Sequence, residues 1–410
     1  FALVIFYLII EVAGSRISNY LFPSNQQISS SPNIKEDTTL AYRPSIRDSN
    51  KIDSIKKQTE HYKNNTYKEL PPPLCKNDKN VKCFGQKITD SYQYVGHLLN
   101  DQPHGSGHQI YPDNKYYVGN FRDGLADGYG VYYDEFDRVI YDGDWYEDTY
   151  NGKGILFVGE EYYDGFFKDG EFHGLGTYVY GDRTFTGKWY QGLRHGEGKE
   201  TWLVGDTYTG YWTYDSISSG EYYQASTGMQ YRGDFLDDTY HGNGAFTFRS
   251  GDTYVGQLKF GEFHGQGTYR QKDVNGVTVY EAEYKNGAYH GKHKITFPHG
   301  ETHTGTYKNG FMDKKWILIF REGQRQIKSY KEGVLHGPYE IFYTDGAKET
   351  TLYNDGFKTL SNYEFVHGDK NTCEYKKSIL HGTCTYTYAK DNSKEICRYD
   401  NGKPEGCTYE

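Results

Sequence analysis

Methionine is nearly missing from this 410-residue chain, with two copies, and proline is sparse at eleven. Few long aliphatic side chains remain to fill a conventional globular centre. No GxxxxGK[ST], HExxH, GxSxG or Ca²⁺-loop signature occurs, which removes phosphate-loop, zincin, nucleophile-elbow and EF-hand chemistry. Gly192 to Lys199 has the composition of a phosphate loop but fails its spacing. The apolar run Phe1–Ile10 has ten residues, where a membrane-spanning helix needs about 20. A cation excess is also missing: the net charge is -9, so most of the chain repels nucleic acid and anionic bilayers.

What the chain has instead is tyrosine and glycine, 44 and 49 copies, arranged in one short phrase that returns roughly every 23 residues. The phrase reads Tyr-x-Gly-x-Phe/Trp, two residues, Gly, two residues, His-Gly-x-Gly, a Tyr-containing run and a Gly-containing turn. Copies begin at Tyr94, Tyr117, Tyr141, Tyr163, Phe185, Tyr208, Tyr231, Tyr254 and Tyr280, with a looser one at His303. Such a period signals a stacked array, in which no unit buries its apolar face alone. Arrays offer length and surface more readily than a catalytic pocket. The composition points to a binding scaffold.

Alternation within one unit sets its local structure. Tyr163, Gly165 and Phe167 share one strand face while Asp164 and Phe166 point the other way. Gly165 leaves a slot between two rings, into which a ring from a neighbouring strand is expected to press. The segment Lys168 to Gly176, with Gly170, His173, Gly174 and Gly176, is too rich in glycine for a strand interior and is expected to turn the chain. Thr177 to Tyr180 then returns as the second strand, and Gly181-Asp182 turns into the next unit. The expected fold is all-β: an elongated, single-layer, twisted antiparallel ribbon of about 13–14 stacked hairpins.

The phrase resembles the MORN repeat family (membrane occupation and recognition nexus). The resemblance rests on Tyr163-Asp164-Gly165 with His173-Gly174-Leu175-Gly176, Tyr254-Val255-Gly256 with His264-Gly265-Gln266-Gly267, and Phe185-Thr186-Gly187 with His195-Gly196-Glu197-Gly198. It is strong over about residues 92–270. From about residue 280 the copies drift: Ala282 replaces the first Gly, and the phrase becomes Tyr330-Lys331-Glu332-Gly333-Val334-Leu335-His336-Gly337. Tyr353-Asn354-Asp355-Gly356 and Tyr375 continue this form, which looks like a second, variant MORN class. The copy from Tyr208 to Gly228 lacks the His-Gly-x-Gly element and is expected to carry a bulge or bend. The resemblance implies a hairpin array used as scaffold, dimerisation element or membrane-proximal adaptor.

The organisation expected is an apolar segment 1–14, a disordered linker 15–73, a cap 74–91, a MORN array 92–279 and a variant array 280–410. Phe1–Ile10, followed by Val12-Ala13-Gly14, suits a secretory signal or the end of a truncated membrane anchor. No Met precedes Phe1, and the chain reads as N-terminally incomplete. The linker is polar and cannot offset its ordering entropy. Asn64 heads a glycosylation sequon, usable on the secretory route. That route is favoured for localisation, the alternative being a cytoplasmic or membrane-peripheral place.

The candidate sites are few. The recurrent His (His104, His173, His195, His241, His264, His290, His336, His381) repeats without an acid or nucleophile and so has no catalytic mechanism; a structural role in the turn is expected. The six cysteines, Cys75, Cys83, Cys373, Cys384, Cys397 and Cys407, lie at the two ends of the array and suit end staples, with free thiols as the alternative. Cys373, His381, Cys384 and Cys397 fit no compact zinc spacing. Lys285, Lys292, Lys294, Lys308, Lys314, Lys315, Arg321, Arg325, Lys328 and Lys331 give residues 284–331 ten cations against three acids. Solvated hairpin edges explain that stretch; so does a local site for anionic lipid headgroups or an acidic partner.

The leading expectation is a scaffold, without enzyme activity, cofactor, metal, small-molecule substrate or nucleic-acid partner, that binds proteins along its aromatic ribbon or pairs with a second copy. The alternatives are an anionic-lipid binder through 285–331, or a non-catalytic fragment of a MORN-containing phosphatidylinositol phosphate kinase.

Overall fold

The computed structural model describes residues 82–410. The apolar start, the linker 15–73, Asn64 and Cys75 lie outside the described residues. These fall into two compact units, 82–226 and 227–410. Both are all-β and antiparallel, and among the described residues there are thirty strands and no helix.

The first unit opens with the edge strand Cys83–Ile88, followed by hairpins 93–110, 116–133, 139–158, 161–180, 183–202 and 207–224. The second contains hairpins 229–247, 253–273, 276–296, 302–319, 325–342, 348–364, 370–387 and 394–409. Within each unit, strands pair with their neighbours in sequence. The phrase therefore maps onto one hairpin at a time, fourteen in all.

The tight turn is shorter than the glycine content suggests. Asp169 and Gly170 both have positive φ, 52° and 84°, the signature of a two-residue type I′ turn. The strand Glu171–Tyr180 starts immediately after it and contains the whole of His173-Gly174-Leu175-Gly176. The turn expected over Lys168 to Gly176 is thus narrowed to Asp169-Gly170: Glu171 to Gly176 is strand, with a local irregularity at Gly174 (φ 63°), where the ladder to the preceding strand shifts register.

The core is a transverse row of glycines. Gly165 stands opposite Gly154 on one side and Gly176 on the other, and Gly176 stands opposite Gly187. The row runs through every strand of the first unit, from Gly85 and Gly96 to Gly210 and Gly220. In the second unit it passes through Gly233, Gly244, Gly256 and Gly267, then Ala282, His293 and Gly305.

The ring filling the slot at Gly165 is not the neighbouring strand's, as expected, but that of Tyr163, two residues earlier on the same strand. Tyr163 lies across Gly165 and Gly176, occupying the space a Cβ on either would need. Its Oη donates to Phe166 O at 3.0 Å, the carbonyl next to the register shift. Tyr94, Tyr117, Tyr141, Tyr231 and Tyr254 repeat this bond to His97, Asn120, Asp144, Asp234 and Gln257. A bulge that frees a carbonyl and a ring that covers a glycine pair are one device.

Candidate functional site

The repeated side chains spend themselves on holding hairpins together. Tyr163 stacks flat on Phe172 of its partner strand at 3.8 Å and meets Phe167 and, in the next hairpin, Trp189 edge-on at 5.1 and 5.5 Å. Such edge-to-face pairs add about 0.5–1.5 kcal/mol each beyond area burial. Tyr94, Tyr117, Tyr141, Tyr163, Tyr208, Tyr231 and Tyr254 are all fully buried. Burial pushes the hydroxyls of Tyr94, Tyr117, Tyr163 and Tyr254 well above the ordinary phenol range, keeping them neutral donors.

The recurrent His reaches the turn of the following hairpin. His241 Nδ1 accepts the Phe260 N–H, His290 Nδ1 the Asn309 N–H and His336 Nδ1 the Asp355 N–H, each at 3.4 Å. His381 Nδ1 lies 3.1 Å from Asp400 Oδ1, and His195 rests on Tyr214 with ring centroids 4.8 Å apart. Beside each contact, the second turn residue donates its N–H to the carbonyl before the His: Gly192 to Phe172 O at 3.0 Å and Gly261 to Tyr240 O at 2.8 Å. The His therefore sits on a strand and serves a turn. Its spacing was legible; its partner lay a whole repeat away and was not.

The cysteines take over the glycine row where the tyrosines stop. Cys373 faces Cys384, Cys384 faces Cys397 and Cys397 faces Cys407 across successive strands. Disulfides join Cys373 to Cys384 and Cys397 to Cys407. Asn371 and Glu395 stand two residues before the first Cys of each pair, where the phrase has Tyr. With no ring to cover a glycine pair, a bridge fills the slot. These sulfurs are committed to disulfides and offer no thiolates to a metal. Cys83 is disulfide-bonded as well.

The basic stretch does not assemble into one surface. Lys292, Lys294 and Lys315 lie exposed on the face opposite the rings. Lys294 Nζ is 3.0 Å from Glu281 Oε2, directly across the ladder. Lys328 points to the ring side, over Tyr339 at 5.2 Å, and burial lowers its pKa. Arg325 lies over Phe342 at 5.0 Å. Lys285, Lys308 and Lys331 stand at hairpin ends next to turns, Lys314 has positive φ, and Arg321 is in a connection.

One feature escaped the sequence reading. His293 occupies the glycine row, caged by Tyr289, Tyr307 and Trp316 with ring centroids at 4.7, 5.0 and 5.8 Å. Neither ring nitrogen has a hydrogen-bond partner among the described residues, and burial lowers its pKa to about 4. Its position opposite Ala282 and Gly305 was the available signal.

The family model for the MORN repeat matches residues 94–116, 117–135, 141–157, 163–184, 185–207, 231–253, 254–273, 280–300 and 374–393. The chain belongs to the MORN-repeat family. The unmatched span between residues 207 and 231 is the copy without His-Gly-x-Gly; its register shift, at Tyr211/Trp212, is of the kind the other copies carry. Alsin from Rattus norvegicus is 33% identical over 96 residues, and Alsin from Homo sapiens 34% identical over 90 residues. Those stretches are 22% and 20% of this chain but only 6% and 5% of the relatives' length. Among solved structures, the TCP10 domain of Danio rerio CPAP covers 49% of this chain and 89% of its own at 14% identity and a TM-score of 0.28, and the Drosophila melanogaster SAS-4 TCP domain covers 38% and 82% at 16% and 0.25. At those scores the likeness carries neither fold nor function.

Proposed function

We propose that this MORN-repeat chain is a non-catalytic scaffold that binds protein partners or a second copy of itself. The observation that supports it most is the use made of the repeated residues: Tyr, Gly and His are consumed in self-packing, unit after unit. Partner contact is therefore assigned to the face opposite the rings rather than to the aromatic face itself. In the first unit that face presents Phe166, Leu175 and Tyr211, all exposed. Tyr211 stands apart from Leu175, with the Lys188–Glu197 ion pair between them, so the face offers exposed apolar side chains interleaved with charge, as contact surfaces do.

The test is light scattering and partner capture with the unmodified chain and with Phe166→Ser, Leu175→Ser and Tyr211→Ser combined. Self-association or capture should fall at least tenfold in the variant while its circular dichroism stays the same. A monomeric protein whose captured partners are unchanged in the variant rules the reading out. A second reading, contact with anionic lipid headgroups, is supported by Lys292, Lys294 and Lys315 sharing one exposed face.

A further inference from the structure

The four cysteines at the end of the second unit form a single line. Cys373, Cys384, Cys397 and Cys407 are each directly opposite the next, on the successive strands Lys370–Lys376, Ile379–Thr387, Lys394–Asp400 and Lys403–Tyr409. Residues directly opposite share a face of the sheet, so the four side chains follow one another across it. Bridges occupy the first and third steps of the line, Cys373–Cys384 and Cys397–Cys407, each inside one hairpin. The middle step, from Cys384 to Cys397, joins two hairpins and carries no bridge.

Backbone geometry lets that middle step take a bond. Lys394 and Glu410 exchange two backbone hydrogen bonds of 2.8 Å. Bonded and unbonded pairs alternate along an antiparallel ladder, so Cys397 and Cys407 form an unbonded pair. Cys397 therefore turns its N–H and C=O toward Cys384 instead. The Cα atoms of such a bonded pair lie about 5.5 Å apart, inside the roughly 4.4–6.8 Å that a disulfide spans. A thiolate breaks a disulfide by attacking one sulfur from the side opposite the sulfur that leaves. Cys397 stands on that side of the Cys373–Cys384 bridge. The outer end of the line is open as well: Lys403–Tyr409 is exposed along its length, and among the described residues nothing pairs with its far side.

We propose that the four cysteines are a thiol–disulfide exchange site, which takes a small external thiol at Cys407 and delivers the free thiol to Cys373. In the first step the external thiol, having lost its proton to water, attacks Cys407 Sγ. The Cys397–Cys407 bond breaks, a mixed disulfide forms on Cys407, and Cys397 leaves as a thiolate. In the second step Cys397 Sγ attacks Cys384 Sγ. The Cys384–Cys397 bond forms, the Cys373–Cys384 bond breaks, and Cys373 Sγ takes a proton from water. One thiol is consumed and one is released, with no net oxidation. The surroundings favour this direction. A Glu395 carboxylate oxygen and the sulfurs of Cys397 and Cys407 all lie within 4.8 Å of one another, which disfavours a resting thiolate at Cys397. Asn371 Oδ1 is 3.5 Å from Cys373 Sγ and is placed to accept its S–H once that sulfur is released. Exchange thus moves a staple from within the hairpins to between them.

The test treats the unmodified full chain with one equivalent of glutathione under mildly alkaline conditions. The reaction is quenched in acid, free thiols are alkylated, and the bridges are mapped by mass spectrometry without reduction. Glutathione should be found on Cys407, the alkyl label on Cys373 and a new bridge between Cys384 and Cys397. Label confined to Cys397 or Cys407, with Cys373–Cys384 intact, overturns the proposal. A chain in which glutathione leaves all four cysteines bridged overturns it too.

Cys407→Ala isolates the second step, because it leaves Cys397 without its partner and needs no external thiol. The alkyl label should then fall on Cys373 about threefold or more over Cys397. That preference should vanish in urea, where the strands no longer hold the line. Label that stays on Cys397 in the folded variant, or a preference that survives unfolding, sinks the idea. Should the circular dichroism of the variant depart from that of the unmodified chain, the glutathione map decides alone.

Discussion

Tyr163 lies over Gly165, two residues along its own strand, and its ring occupies the volume a Cβ there would need. A Cβ on Gly165 would also stand 2.6 Å from Gly176 Cα on the partner strand. Gly165→Ala should therefore cost stability although alanine is a better strand residue than glycine, by about 1–3 kcal/mol, and Gly165→Val more. Asp164→Val, on the opposite face, should stay within about 1 kcal/mol of the unmodified protein. Denaturant midpoints for the three variants check this. Equal midpoints for Gly165→Val and Asp164→Val would show that the two faces are assigned wrongly.

The Tyr hydroxyl should matter less than the ring. Tyr163→Phe removes the 3.0 Å bond to Phe166 O and leaves the slot filled, at a cost of about 1 kcal/mol. Phe185 already stands in this place in the next hairpin, over Gly187 and Gly198. Tyr163→Ala removes both ring and bond and should cost about 3–5 kcal/mol. A thermal melt that ranks Tyr163→Phe as worse than Tyr163→Ala would refute the account of the core.

The period, the all-β class and the sharing of one face by residues 163, 165 and 167 were legible because each follows from short-range alternation. The turn was drawn too wide, over Lys168 to Gly176, because glycine content was weighed above dipeptide chemistry. Asp169-Gly170 is a strong two-residue turn signal, whereas Gly174 and Gly176 serve a bulge and a ring. Contacts one repeat apart, such as His241 to Phe260, depend on register, which a one-residue bulge resets in every unit.

His293 makes a pH prediction with a definite sign. Burial among rings lowers its folded pKa to about 4 from an ordinary 6.5. Above pH 6.5 the ring is neutral in both folded and unfolded chains and stability does not depend on it. Between pH 6.5 and 4 the unfolded chain binds the proton and the folded one does not, so stability falls as pH falls. Below about 4 both are protonated and the loss levels off, at about 3 kcal/mol. His293→Ala should flatten this part of the stability–pH curve for residues 227–410. An unchanged curve would mean that the ring is solvated.

Reduction should loosen the end of the second unit selectively. Cys373–Cys384 and Cys397–Cys407 close loops of 11 and 10 residues in sequence, each worth about 2–4 kcal/mol. With Asn371 and Glu395 in place of the covering Tyr, those two hairpins have no ring to fall back on. Limited proteolysis under reducing conditions should cut within 370–410 first and spare 94–273. Cleavage that is equally fast in both regions would remove the stapling role.

The basic stretch yields the sharpest test of the lipid reading. Lys292, Lys294 and Lys315 share the exposed face, and Lys314 sits beside them with positive φ. Lys294 is already paired with Glu281, which lowers what it can give to a headgroup. Reversing Lys292, Lys294, Lys314 and Lys315 to Glu should leave the sheet intact, because none of the four packs on the ring side. The same change should abolish flotation with anionic liposomes, whose attraction is about 1 kcal/mol per well-placed cation. Flotation of the unmodified chain should also fade as salt rises, since the screening length shrinks to about 3 Å at 1 M. Flotation that survives the four reversals would place any lipid contact elsewhere on the chain. An unmodified protein that stays unbound at low salt, with and without phosphoinositides, leaves the protein scaffold as the working function.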